Sequence, residues 1–178
     1  MKYLLLSILI TSILTFCNSN RNDEKKYDIY SSVLENQFGH IPQKASFIVG
    51  VNDTIEDFRD ELGTLIFSVE NNNDFFKEYC KGDSAFKDFI LAIKTIKTDK
   101  ENMNIDRLKA KTKIRINLNK LIKSEPWHLT INLSKIVFND NNDRAILFVV
   151  GSSTGSWFFV QLVNKKWIVK HQIVSWVT

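Results

Sequence analysis

The sequence predicts an α+β domain in which N-terminal helices pack on a C-terminal antiparallel β-meander. Three observations carry this. Apolar residues recur at helical spacing in the first half of the chain. From Leu129 onward they alternate or run continuously. Short polar turns separate the later runs. Helices followed by hairpin-linked strands are the pattern of α+β domains, with the helices packed on one face of the sheet. Cystatin-like and nuclear-transport-factor-like sheets, which curve around helices, are the nearest fold-level analogies, and fold-level analogy carries no function.

The elements follow in order. Tyr27, Tyr30, Leu34 and Phe38 lie at helical spacing and Gly39 follows as a stop, so a helix is expected over about 24–38. Ser46 to Val51 reads as a strand. Thr54, with Asp57 three residues on, has the arrangement of a helix cap, and Ile55, Phe58, Leu62, Leu65 and Ile66 share one helical face. Helical signal resumes at Asp74 and runs to about Lys97 with a break near Gly82. Ile114, Ile116 and Leu118 alternate with polar residues as a strand does. Leu129, Ile131 and Leu133 begin a strand whose phase shifts at Ile136 and Phe138, which predicts a bulge. Ala145 to Val150 is continuously apolar and should be a central strand. Trp157 to Val163 and Trp167 to Val177 complete the meander across the turn Asn164-Lys165-Lys166.

The N-terminus predicts export. Lys2 precedes thirteen uncharged residues, Leu4 to Phe16, too short for a spanning helix of roughly 20 apolar residues but of signal-peptide length. Leu14-Thr15-Phe16-Cys17 resembles a bacterial lipobox, with Phe16 in place of the usual small residue. The expected division is a signal peptide over 1–16, a lipidated Cys17 with a polar tether over 17–26, and one domain over 27–178. A plain secretory signal with an incidental cysteine is the alternative. Among 178 residues there are only two prolines and six glycines, so no long flexible linker divides the chain. With Cys17 lipidated, Cys80 is the one remaining thiol, and a small buried apolar role is expected of it.

Val150-Gly151-Ser152-Ser153-Thr154-Gly155-Ser156 contains G-x-S-x-G, the pattern around many hydrolase nucleophiles. That serine sits on a strand-to-helix turn, with an acid and then a histidine later in the chain. Here a strand follows, and no Asp or Glu occurs after Ser153. The loop reads as a hairpin connection, and catalytic residues are expected to be none. His40, His128 and His171 are scattered without ligand spacing, so no metal and no cofactor are expected. Glu56, Asp57, Asp60 and Glu61 alternate with an apolar stripe and read as the wet face of a helix. From Lys94 to Lys123 there are ten basic and three acidic residues, while the whole chain carries +4. No aromatic residue interrupts that segment, which argues against nucleic acid as a partner. A solvated face, or attraction to an anionic membrane, fits better.

The chain resembles a family of uncharacterised bacterial exported proteins and lipoproteins. The resemblance rests on the run Tyr27 to Asn36, on Ser134-Lys135-Ile136-Val137-Phe138-Asn139, on Ala145 to Val150, on Asn164 to Val169, and on Ser175-Trp176-Val177-Thr178. Val137 stands where the family has Gly, and Asn164-Lys165 replaces a Gly at the turn. It implies an exported α+β domain and carries no catalytic residues. The resulting expectation is a membrane-anchored envelope lipoprotein acting as a binding module. An envelope protein or a small ligand is its partner, and Ser153 and Trp157 rim the site. The rival is a small envelope hydrolase using Ser153.

Overall fold

The computed structural model describes residues 23–39, 47–51, 54–55, 57–71, 73–93, 101–109, 114–116 and 127–177. Cys17, the signal segment and His40 lie outside the described residues. The fold is α+β: helices first, then a mostly antiparallel C-terminal sheet. Helix α1 spans 23–38 and ends where the Gly39 N–H bonds back to the Glu35 carbonyl at 2.7 Å. It therefore begins inside the polar run expected to be tether. Strands β1 (Phe47–Val51) and β2 (Thr54–Ile55) lead to helices α2 (Arg59–Asn71), α3 (Asn73–Cys80) and α4 (Ser84–Ala92). The short β3 (Glu101–Asn102) pairs with β2, and β4 (Ile114–Ile116) joins the main sheet. The C-terminal strands are β5 (Trp127–Leu133), β6 (Val137–Phe138), β7 (Arg144–Val150), β8 (Thr154–Val163) and β9 (Lys166–Val177).

The sheet runs in the order β4-β1-β5-β7-β8-β9, with β6 also paired to β7. From β5 to β9 every pairing is antiparallel, as the alternation predicts. The sheet is nevertheless mixed, because β1 lies parallel to both β4 and β5. Nothing in the apolar run of β1 specifies strand direction, so that pairing is invisible in sequence. The bulge expected near Ile136 is present. Leu133 faces Val149 while Val137 faces Ile146, so one extra residue sits on the 133–137 side. Ser134 stitches the irregularity, its hydroxyl accepting the Phe148 N–H at 2.7 Å.

Helices cover both faces of the sheet rather than one. On the first face, α1 places Tyr27, Tyr30, Val33, Leu34 and Phe38 against Ala145, Leu147, Val149, Phe158, Val160 and Trp167. On the second, α2 and α4 place Leu62, Leu65, Val69, Phe86, Phe89 and Ile90 against Ile146, Phe148, Trp157, Phe159 and Ile173. This explains why β7 has no polar alternation. It also explains why the expected cap at Thr54 fails. Ile55 is buried in the first core and Leu62 in the second, so one helical face cannot serve both. Thr54–Ile55 is instead a two-residue strand, and the helix starts at Arg59.

Two turns follow the side-chain chemistry of their residues. Asn139 Oδ1 accepts the N–H groups of Asp143 at 3.1 Å and Arg144 at 2.9 Å, and Asn142 takes a left-handed φ of 54°. Asn164 and Lys165, at φ 50° and 65°, form the two-residue connection of the β8–β9 hairpin, whose twist matches the flanking strands. Because Leu147 is fully buried, Leu147→Ala should destabilise the domain by about 2–5 kcal/mol in urea titration. The β7 amides should also be among the slowest to exchange with solvent.

Candidate functional site

The hairpin connection at 151–154 is closed by a bond from the Gly151 N–H to the Thr154 carbonyl at 2.8 Å, and Ser152 and Ser153 are exposed on it. The chain continues as β8, so no helix N-terminus faces Ser153. No hydrogen bond links Ser153 to a histidine or carboxylate among the described residues. His171 is remote. Thr154 faces Val177 across the β8–β9 pair, while His171 faces Phe159, five residues along. At roughly 3.3 Å per residue that is about 16 Å.

His171 is also not on the face its position in the run suggests. Val160 faces Val169 and Phe159 faces His171, so Lys170 is an extra residue that reverses the alternation. His171 thus leaves the side of Trp167 and joins Ile173 on the second face. There its Nε2 lies 3.3 Å from Asp83 Oδ2, with the Phe86 ring 5.6 Å away. Asp83 precedes α4 but makes no side-chain cap bond to it. Its carboxylate faces His171 instead.

Trp157 does not rim the loop. It is 3% exposed and packs in the second core, its ring centroid 4.8 Å from that of Phe148. Strand parity turns it away from the loop's neighbourhood on the α1 side, because consecutive strand residues face opposite sides. The tryptophan is committed to α2 and α4, while Ser156 and Phe158 face α1. The pairing of Ser153 with Trp157 in one binding rim is therefore incorrect, and Trp157 is a core residue.

What the loop does adjoin is a cavity of about 110 Å³ on the α1 side. Phe38, Leu129, Ile131, Val149 and Phe158 supply apolar walls, and Ser152, Ser153 and Thr154 supply the mouth. One wall is polar. Gln172 Nε2 donates to Gln37 Oε1 at 3.2 Å and to Ser156 Oγ at 3.3 Å, linking α1, β9 and β8. Gln37 and Ser156 line the cavity, and among the described residues no charged one does. Such a site suits a small uncharged molecule or side chain that exchanges hydrogen bonds. At about 30 Å³ per water it holds a few solvent molecules or a fragment of similar size. Gln37 and Gln172 were not legible as site residues. The only trace is that Gln172 stands between two inward-facing neighbours of a strand, where an amide needs a partner.

Cys80 is fully buried and free. Burial, and secondarily the Asp83 charge, push its thiol up to about 12. It is an inert core residue, as expected. Among the described residues no group of His, Cys, Asp and Glu is placed to hold a metal, and no helix is long and apolar enough to cross a membrane. No protein-family model matches the chain, and no curated protein and no solved structure matches it.

Two outcomes follow. Trp157→Ala should cost about 3–5 kcal/mol, read as a fall in denaturant midpoint, as a core tryptophan does. Cys80 should make stability pH-dependent in the alkaline range. The thiol ionises near 9 when unfolded and near 12 when folded. Its contribution is complete below pH 9 and is lost as pH rises from there, by about 1.4 kcal/mol per unit. The difference in unfolding free energy between wild type and Cys80→Ala should therefore shrink or reverse above pH 9.

Proposed function

We propose that this chain is a lipid-anchored domain of the bacterial cell envelope that binds a small uncharged ligand at the loop end of its sheet. The observation that carries the binding reading is the Gln37–Gln172–Ser156 hydrogen-bonded wall opening on a cavity with a hydroxyl-bearing mouth. Amides and hydroxyls set against aromatic walls are the ordinary materials of a small-ligand site. The anchor reading is supported by the short apolar run Leu4 to Phe16 ending at Cys17. The family resemblance supports the same address. The rival reading, a hydrolase acting through Ser153, gains no support from His171, which lies far along the strand.

Two measurements test this. Cys17→Ser should abolish incorporation of labelled fatty acid and leave the protein unprocessed or released. Unchanged membrane partition in that variant would sink the anchor reading. For the site, titration with neutral polyols and sugars should shift the amide resonances of Gln37 and Gly151 to Thr154. Gln172→Leu should remove those shifts while the fold persists. No shift across such a panel defeats the binding reading, and fluorophosphonate labelling lost in Ser153→Ala would install the hydrolase.

A further inference from the structure

The tip of the β8–β9 hairpin carries Lys165 and Lys166, both exposed and in no ion pair among the described residues. The nearby acids are largely occupied. Asp28 holds Lys109 at 2.7 Å, Asp23 holds Arg107, and Asp143 lies 3.7 Å from Arg144. Glu35 of α1 is the further acid on the side that faces the two lysines. A groove of about 590 Å³ separates the tip from α1. Leu162 and Ile168, each 36% exposed, flank the lysines one and two residues from the turn's closing pair. A basic tip with apolar shoulders is the composition of a segment that rests at a lipid interface.

The fold also says where this tip points. Ser32 bonds to the Trp167 carbonyl and Gln37 to Gln172, so β9 runs in the same sense as α1. The hairpin tip therefore lies toward the N-terminal part of α1, and the 151–154 loop lies toward its C-terminus. Five residues, and so six residue-to-residue steps, separate Cys17 from Asp23. Fully extended they reach at most about 20 Å. An anchor at Cys17 keeps the tip end near the bilayer and turns the cavity away from it.

We propose that the Asn164–Lys166 tip, with Leu162 and Ile168, is the membrane-facing contact of the domain and that its partner is an anionic phospholipid surface. The proposal rests on the lipid-anchor reading of Cys17. Its test is independent of acylation. Full-length Cys17→Ser is sedimented with vesicles of phosphatidylcholine alone or of equal parts phosphatidylcholine and phosphatidylglycerol. The apolar leader contributes to both compositions. The expected result is tighter binding to the anionic vesicles, weakened by added salt. In the same background Lys165→Gln/Lys166→Gln should lose roughly fivefold per lysine, about 30-fold together, on anionic vesicles only. Its melting temperature should match the parent. Equal binding to both compositions overturns the proposal, as does anionic binding unaffected by the double substitution. So does complete competition by inorganic phosphate at constant ionic strength, which would assign the tip to a soluble anion. Failure of Cys17 acylation in cells removes the anchor reading, while the vesicle comparison decides the tip by itself.

Discussion

The central constraint of this protein is a strand with no wet side. Residues 145 to 149 of β7 are all buried, and their alternate side chains enter two different cores. Each helical layer therefore packs on the same backbone from opposite directions. An added methyl group on one face shifts the platform on which the other face packs, since protein interiors have little free volume to absorb it. The β8 residues Trp157 to Val160 repeat the arrangement, so β7 and β8 together form the shared wall.

The charged and hydroxyl groups around α1 serve that wall. Tyr30 donates to the Ser134 carbonyl at 3.0 Å, locking α1 onto the bulge beside β7. Ser32 caps an outward carbonyl of β9 at Trp167. Tyr27 accepts the Asn104 N–H, and its ring lies 4.1 Å under the Arg107 guanidinium. Ser31 accepts the Lys109 N–H. The basic segment that composition presents as a solvated face is thus, over residues 104–109, a strap across α1. The outer edge of β9 is guarded by the same means: the Ser32 cap, lysines at 165, 166 and 170, and the extra residue at Lys170, all of which discourage pairing with another strand.

The parts legible in sequence were those set by local physics. The 3.6-residue spacing of Tyr27, Tyr30 and Leu34 located α1, and the unbroken apolar run located β7. The asparagines marked the turn at 139–143. The parts that were not legible depend on which core a residue enters. Ile55 looked continuous with Leu62 because both are apolar at helical spacing, yet they face different layers. His171 falls in phase with Trp167 in the sequence because a bulge at a lysine, here between Val169 and His171, leaves no signature. Trp157 looked available because its loop is made of small residues, but its direction is set by strand parity. The Gln37–Gln172 contact joins residues 135 apart, and no local pattern announces it.

The reach of α1 across the chain has a consequence for how the molecule is made. Its most distant partners are Ser134, Trp167 and Gln172, separated from the residues they bond by 104, 135 and 135 positions. During synthesis α1 emerges well before β8 and β9, so the part of its seat that those strands build is completed late. Until then its apolar face is only partly covered, by Val51, Ile55, Met103 and Ile105, and loop closure over such distances makes the closing step slow. A chain whose seat is completed late stays open longer. An open chain is also the form that can be threaded through a narrow passage before it folds.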